Sequence, residues 1–211
     1  VDLGARIGDT QIEPSAKATA FMRIYNTDGS ESEMCGNATR CMADILLREL
    51  DSDECVIETR AGLLKCVRTD EFHITVDMGE PRLEWHQIPL SKECDTYSLP
   101  LGGNGVSNPV GVSMGNPHCV FFVDDLDQVD VEKIGRGFEY NPLFPERANI
   151  EFVEILNKGH VKMRVWERGS GITLACGSGS CATAVAAIRR GLTSRKIIVE
   201  MDGGPLVLEW R

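Results

Sequence analysis

Met22-Arg23-Ile24-Tyr25-Asn26, followed by Met34-Cys35-Gly36-Asn37, is written a second time in this chain as Met163-Arg164-Val165-Trp166-Glu167, followed by Ala175-Cys176-Gly177-Ser178. The copies keep one register: nine residues separate Asn26 from Cys35 and Glu167 from Cys176, and the copies are offset by 141. Each opens with a short run of apolar, β-branched or aromatic residues closed by a Gly/Ser/Asp-rich turn, which predicts a strand ending in a loop. Each continues at helical spacing. In the first copy Ala38, Met42, Ile45, Leu46 and Leu50 lead to Asp51; in the second Ala182, Val185, Ala186 and Ile188 lead through Arg189 and Arg190 to a stop at Gly191. Both cysteines are therefore expected just before a helix begins.

The first N–H groups of a helix have no partner inside it, and the macrodipole places partial positive charge there. A carboxylate can bind at such an end, and a thiol there can ionise at lower pH, its pKa falling from about 8.5 toward roughly 3.5 to 7.5. If the two copies pack face to face, two helix ends converge on one anion with a thiol on either side. That geometry suits removal of a proton from one face of a carbon and its return to the other.

The remaining cysteines have no such setting. Cys41 lies on the first predicted helix, Cys55, Cys66 and Cys119 lie in strand-like runs, Cys94 sits in the polar stretch Ser91 to Tyr97, and Cys181 is expected to face the helix interior. A buried cysteine is ordinarily a small hydrophobe. The chain is too long for a disulfide-stapled miniature fold, and no secretory signal accompanies it. Neither Cys35 with Cys41 nor Cys176 with Cys181 has the spacing of a zinc knuckle. Reduced thiols, no metal and a cytoplasmic location are the expectation.

At 211 residues, 42% hydrophobic and 26% charged, the sequence has enough apolar material for one large or two modest domains. Its net charge of −10 argues against nucleic acid, and no apolar run approaches a membrane span. A small molecule is the expected partner. Cys55 to Arg60, Leu63 to Arg68 and Phe72 to Met78 read as consecutive strands, as do Val110 to Ser113, Cys119 to Val123, Ile150 to Ile155 and Ile197 to Met201. Many strands and few helices make this an α+β chain. The Gly/Pro/Ser/Asn-rich stretch Leu99 to Pro109 is the expected boundary, giving domains 1–104 and 105–211. Aligning the copies leaves the first short of chain ahead of its strand and the second short behind its helix. The first half is thus expected to lack opening strands, and the second its final ones.

Five blocks of the sequence resemble, in order, the signatures of the diaminopimelate epimerase family. They are Asn26-Thr-Asp-Gly-Ser-Glu with Cys35-Gly-Asn, Met114-Gly-Asn-Pro-His118, Glu146-Arg-Ala-Asn149, Glu167-Arg-Gly-Ser-Gly, and Ala175-Cys-Gly-Ser-Gly-Ser-Cys181. The resemblance spans about Phe21 to Arg211. It implies two pseudo-symmetric domains, each a mostly antiparallel sheet or barrel wrapped around a central helix, and an isomerase that uses neither metal nor pyridoxal phosphate. Such enzymes interconvert LL- and meso-diaminopimelate, a lysine and cell-wall precursor, with one cysteine as base and the other as acid. Homodimers are common among them.

On that pattern Cys35 and Cys176 are the catalytic pair. Backbone N–H groups around Gly36, Asn37, Gly177 and Ser178 would stabilise the carboxylate, and Asn26, Asn116, Asn149, Glu167 and Arg168 would hold the substrate's amino and carboxylate groups. His118 resembles a residue that assists one cysteine, and Glu167 one that assists the other. His73, His86 and His160 have no motif around them and are expected to be structural or solvent-facing. The family's opening Lys-x-x-Gly-x-x-Asn-Asp strand is absent, and Ala5-Arg-Ile-Gly-Asp9 only partly resembles the segment that follows it. Proline racemases and hydroxyproline epimerases share the two-cysteine chemistry, but their first motif typically reads Cys-Gly-His where this chain has Cys35-Gly36-Asn37. Phenazine-biosynthesis-like isomerases share the fold without the cysteine pair. A non-catalytic amino-acid-binding relative is the alternative from outside enzymology.

Overall fold

Helix α1, Gly36–Glu49, starts immediately after Cys35, and helix α3, Gly177–Arg189, starts immediately after Cys176. Between them lies the nine-residue α2, Val131–Glu139. These elements come from a computed structural model that describes residues 5–7, 10–12, 14–25, 29, 31, 32 and 34–211. The chain forms two units, Val1–Gly79 and Glu80–Arg211.

In the first unit the strands Ala20–Phe21, Glu54–Thr59, Gly62–Arg68 and Ile74–Val76 form a sheet in that order. The first pair is parallel and the rest antiparallel. Side chains alternate across a strand, so Cys55 and Ile57 on one strand and Leu64 and Cys66 on the next point inward. They meet Ala43, Leu46 and Leu47 of α1, which recur at helical spacing and close the core with Ala20 and Met22. Helix α1 stops at Asp51, which takes the left-handed conformation (φ 49°) usually left to glycine. Ile24–Tyr25 pairs with Glu31–Ser32 just ahead of Cys35.

The second unit carries a seven-stranded sheet. Its path runs through Val110–Ser113, Pro117–Val123, Asn149–Asn157, His160–Glu167, Lys196–Met201 and Gly204–Glu209, with Gly171–Thr173 paired to His160–Glu167. Two contacts are parallel, Pro117–Val123 with Asn149–Asn157 and His160–Glu167 with Lys196–Met201. Helix α3 touches every strand of that path, so the sheet wraps around it. Its composition explains how: Ser180, Ala182, Thr183, Ala184, Val185, Ala186 and Ala187 are buried around the whole helix, and small side chains let the strands close in. On the opposite face, Val131, Ile134 and Phe138 of α2 pack on Cys119, Phe121, Ile150 and Phe152. Gly135 of α2 lies so close to Trp166 that an added Cβ would come within 2.8 Å of the indole Cγ and nearer still to the tryptophan's own Cβ.

The repeated sequence is a repeated structure. Ile24↔Ser32 and Tyr25↔Glu31 pair antiparallel in the first unit, and Val165↔Thr173 and Trp166↔Ile172 pair antiparallel in the second, at the same offset of 141 found between the cysteines. Each unit then has Cys, helix, and a strand returning parallel to the one before the loop. This is the α+β class that the strand and helix pattern predicted, with the sheets around a central helix that the family resemblance implied.

Three features differ from the sequence reading. Helix α2 was not anticipated. The observed strands are Pro117–Val123, starting ahead of Cys119, and Ile74–Val76, shorter than Phe72 to Met78. Residues 80–104 belong by contact with the second unit, because Ile88, Leu90 and Leu99 enter its core beside Phe121. The expected boundary near 104/105 lay at the Gly-rich hairpin Gly102–Gly103 with Val106–Ser107, where composition signals a turn rather than a change of core.

Candidate active site

The period-two alternation of the central strands builds the candidate site of the second unit. His118 pairs with Asn149, Val120 with Glu151, and Glu151 with Val165, so His118, Asn149, Glu151 and Glu167 all project from the face that carries α3. Cys119 and Phe121 take the other face and join the α2 core. The start of α3 meets this polar row at Cys176.

Cys176 is the N-cap residue of α3. Its Sγ accepts a hydrogen bond from the Gly179 N–H at 3.3 Å and lies 3.6 Å from Ser178 Oγ. Gly179 has to lack a side chain, since a Cβ there would stand 2.8 Å from Glu151 Oε1 and 3.2 Å from Cys176 Sγ. Asn116 Nδ2 donates to Ser178 Oγ at 3.3 Å, and Asn116 Oδ1 lies 2.9 Å from His118 Nε2. His118 Nδ1 stands 2.6 Å from Glu151 Oε1, with both side chains 0% exposed. A continuous chain of contacts therefore runs from the thiol through Ser178, Asn116 and His118 to Glu151.

The electrostatics of this thiol are the reverse of the sequence expectation. The helix end is in place, and its N–H and Ser178 pull the Cys176 pKa down, but burial, followed by the negative charges of Glu167 and Glu151, pushes it well above the ordinary thiol range. At Cys176 burial first, and the two carboxylates on the neighbouring strands second, outweigh the helix end. Glu151 is itself raised, first by burial and also by Glu167, against the pull of His118.

The turn that carries Glu167 and Arg168 is pinned from behind. Glu139, buried at the end of α2, accepts from the Trp166 indole at 2.7 Å and the Gly169 N–H at 3.1 Å, and pairs with Arg147 at 3.4 Å. Thr173 donates its hydroxyl to Glu167 Oε1. Asn149 donates to the Pro117 carbonyl at 3.1 Å and accepts from the Arg168 N–H at 2.9 Å, while the Arg168 guanidinium reaches the Glu146 carbonyl at 3.2 Å. Asn149 thus braces the Asn116-Pro117 and Glu167-Arg168 turns against each other.

The first unit repeats the helix end. Thr39 gives both its N–H and its hydroxyl to the Cys35 carbonyl, each at 2.9 Å; Ser180 does the same to the Cys176 carbonyl at 2.9 and 2.8 Å. Cys35 is half-buried and makes no side-chain cap bond. Gly36 is buried at the first helical position, and Asn37 accepts from Arg40 at 2.6 Å. Asn26 lies outside the described residues. Cys55 and Cys66 face each other directly across their strands, and burial pushes the Cys66 thiol up to about 12, as suits a core cysteine.

The diaminopimelate epimerase family profile matches residues 5–84 and 110–211. The chain belongs to the diaminopimelate epimerase family. It is 53% identical over 193 residues to the diaminopimelate epimerase of Rhodospirillum centenum, covering 92% of this chain and 66% of that protein. Against the Acidiphilium cryptum diaminopimelate epimerase it is 53% identical over 200 residues, covering 95% of this chain and 72% of the other. The chain therefore spans about two thirds of the length of these family members. Solved structures share the fold at low identity. A hydroxyproline epimerase from Agrobacterium vitis has a TM-score of 0.68 at 15% identity, covering 92% of this chain and 62% of that one. A probable proline racemase from Agrobacterium radiobacter has 0.64 at 14%, covering 93% and 69%.

Within this member of the family, sequence reasoning missed Glu151 and Glu139. One signal for Glu151 was available: the run Ile150 to Ile155 carries two acids, Glu151 and Glu154, on opposite faces of a strand, so one of them turns inward and needs a buried partner, which the His118 block could supply. Glu139 carried no local signal, because its partners come from distant turns.

Proposed function

We propose that the protein is a cofactor-independent amino-acid epimerase that interconverts LL- and meso-diaminopimelate, in lysine and cell-wall precursor synthesis. The observation that carries the reading is that a cysteine stands at the N-cap of two helices at matching places of the repeat, in a chain of this family. No helix among the described residues is long and apolar enough to cross a membrane. Action in the cytoplasm, as a homodimer, belongs to the same proposal.

The chemical obstacle is the weak acidity of the α-hydrogen in the absence of an electron sink. One thiolate takes that proton, negative charge grows on the α-carboxylate, and the other thiol delivers a proton to the opposite face. The N–H groups that the helices themselves do not use, at Gly36, Asn37, Gly177 and Ser178, stabilise the growing charge; one such donor is worth about 2.7–4 kcal/mol in other enzymes. Burial and the two carboxylates favour the thiol form at Cys176 in the substrate-free protein, suiting it to be the proton donor once substrate binds. Glu167 and Arg168, on one pinned turn, offer an acceptor for an ammonium and a donor for a carboxylate. Asn26, Asn116 and Asn149 complete the grip on a two-ended zwitterion, and His118 assists by orienting Asn116.

The test is incubation with LL-diaminopimelate or L-proline in deuterated water. Deuterium at the diaminopimelate α-carbon, with none in proline, is expected. Absence of exchange from both would end the enzyme reading, and exchange into proline alone would make this a racemase of the cyclic amino acid.

A further inference from the structure

Glu151 is fully buried beside a thiol, belongs to none of the recognised motif blocks, and leaves its Oε2 without a hydrogen-bond partner among the described residues. Burying a carboxyl group so incompletely paired costs stability, and an unexplained buried polar group of this kind points to function. We propose that Glu151 is a positioning residue: it fixes which nitrogen of His118 carries a proton, and through His118 it fixes the orientation of the Asn116 amide at the mouth of α3. The inference deepens the epimerase reading and takes from it only the role of Asn116 toward substrate.

Donor and acceptor accounting carries the argument. Asn116 uses its NH2 group toward Ser178 Oγ, so the atom it presents to His118 Nε2 is the carbonyl Oδ1. A carbonyl accepts only, so Nε2 must bear hydrogen. At the other side of the ring, Nδ1 and Glu151 Oε1 are 2.6 Å apart and hold one proton between them. With that proton on nitrogen the pair is imidazolium and carboxylate; with it on oxygen the pair is neutral imidazole and carboxylic acid. Nε2 keeps its hydrogen in both.

Without Glu151 the constraint disappears. A neutral imidazole can then place its single hydrogen on Nδ1, leave Nε2 bare, and accept from an inverted Asn116 amide. The inverted amide turns its oxygen toward Ser178 and the helix end, setting an acceptor where an anionic group is to bind. The fold reserves space for the acid that prevents this, since the missing side chain at Gly179 is what admits Glu151 Oε1.

The experiment uses the full chain labelled with ¹⁵N-histidine. His118 is assigned by elimination with His73→Gln, His86→Gln and His160→Gln, and its ring nitrogens are followed by long-range proton–nitrogen spectra from pH 6 to 8. In the wild type, Nε2 is expected to stay protonated throughout. Glu151→Gln, whose amide can donate to Nδ1, should keep Nε2 protonated and hold KM for diaminopimelate within about threefold. Glu151→Leu should show a tautomer mixture and a KM raised about tenfold or more, the scale of one lost hydrogen bond. A bare Nε2 in the wild type overturns the proposal, as does a Glu151→Leu protein whose Nε2 stays protonated. If Glu151→Leu does not fold, the wild-type spectrum decides, and a bare Nε2 there overturns the proposal. The spectra need no substrate, so a protein inactive on diaminopimelate would sink the epimerase reading while leaving this inference separately judged.

Discussion

Gly179→Ala adds one methyl group at a crowded point of the second unit's candidate site. The new Cβ would lie 2.8 Å from Glu151 Oε1, 3.2 Å from Cys176 Sγ and 3.3 Å from Cys176 Cβ. None of these neighbours is the free end of a flexible side chain: Glu151 is held by His118, and Cys176 is bound to the backbone of α3. Overpacking of this kind costs about 1–3 kcal/mol. Exchanging glycine for alanine in a helix returns at most about 1 kcal/mol, less at its first turn. The net destabilisation expected from urea unfolding is therefore roughly 0–3 kcal/mol. Activity is expected to fall much further, by about 100-fold, because displacing a reacting group by about 1 Å has that effect. Gly137→Ala is the matched control, since its Cβ meets nothing within 4 Å on α2 and it should stabilise by up to about 1 kcal/mol. A Gly179→Ala enzyme with wild-type stability and turnover would refute the crowded-thiol geometry.

Gly135→Ala, three residues before Phe138 on α2, should destabilise by about 1–3 kcal/mol in the same urea assay, because its Cβ would run into Trp166. The pH dependence of iodoacetamide alkylation at Cys176, followed by peptide mass spectrometry without substrate, should show a midpoint above the ordinary thiol value of about 8.5, and Glu167→Gln should lower it. The sign for stability follows: a raised thiol pKa favours the folded state below the unfolded value, and that contribution fades as pH rises through the folded one. Asp44, held between Arg68 and Arg48, has its carboxyl pKa lowered by both, Arg68 foremost. Its stabilising contribution is present above the unfolded pKa and lost as pH falls through the folded one, so Asp44→Asn should lower the unfolding midpoint at pH 6 but not near pH 2.

How much of this was legible in the sequence differs from element to element. Helices α1 and α3 stood out because each combines apolar periodicity with a Cys-Gly start, and because the second copy repeats the first. Helix α2 was hidden by its brevity and by Gly135 and Gly137, which lower helix propensity; only Asp130 as a capping acid and the spacing of Val131, Ile134 and Phe138 marked it. The motif blocks pointed to Asn116, His118, Asn149, Glu167 and Arg168; the structure sets Asn116 and His118 beside the start of α3 and ties the Glu167-Arg168 turn to them through Asn149. It could not be read from the blocks that Asn149 braces two turns, or that burial and two carboxylates would outweigh the helix end at Cys176. Both depend on strands distant in sequence, whose register only the folded sheet fixes.

The central claim is that two different thiols serve the two faces of one carbon. It is tested most directly by the early time course of deuterium incorporation when one stereoisomer of diaminopimelate is supplied in deuterated water. With two bases, the product isomer should carry deuterium from the first turnovers while the remaining substrate stays protiated, and Cys35→Ser and Cys176→Ser should each abolish epimerisation. Deuterium appearing in unreacted substrate as fast as in product, or epimerisation surviving in either serine variant at the wild-type rate, would contradict it.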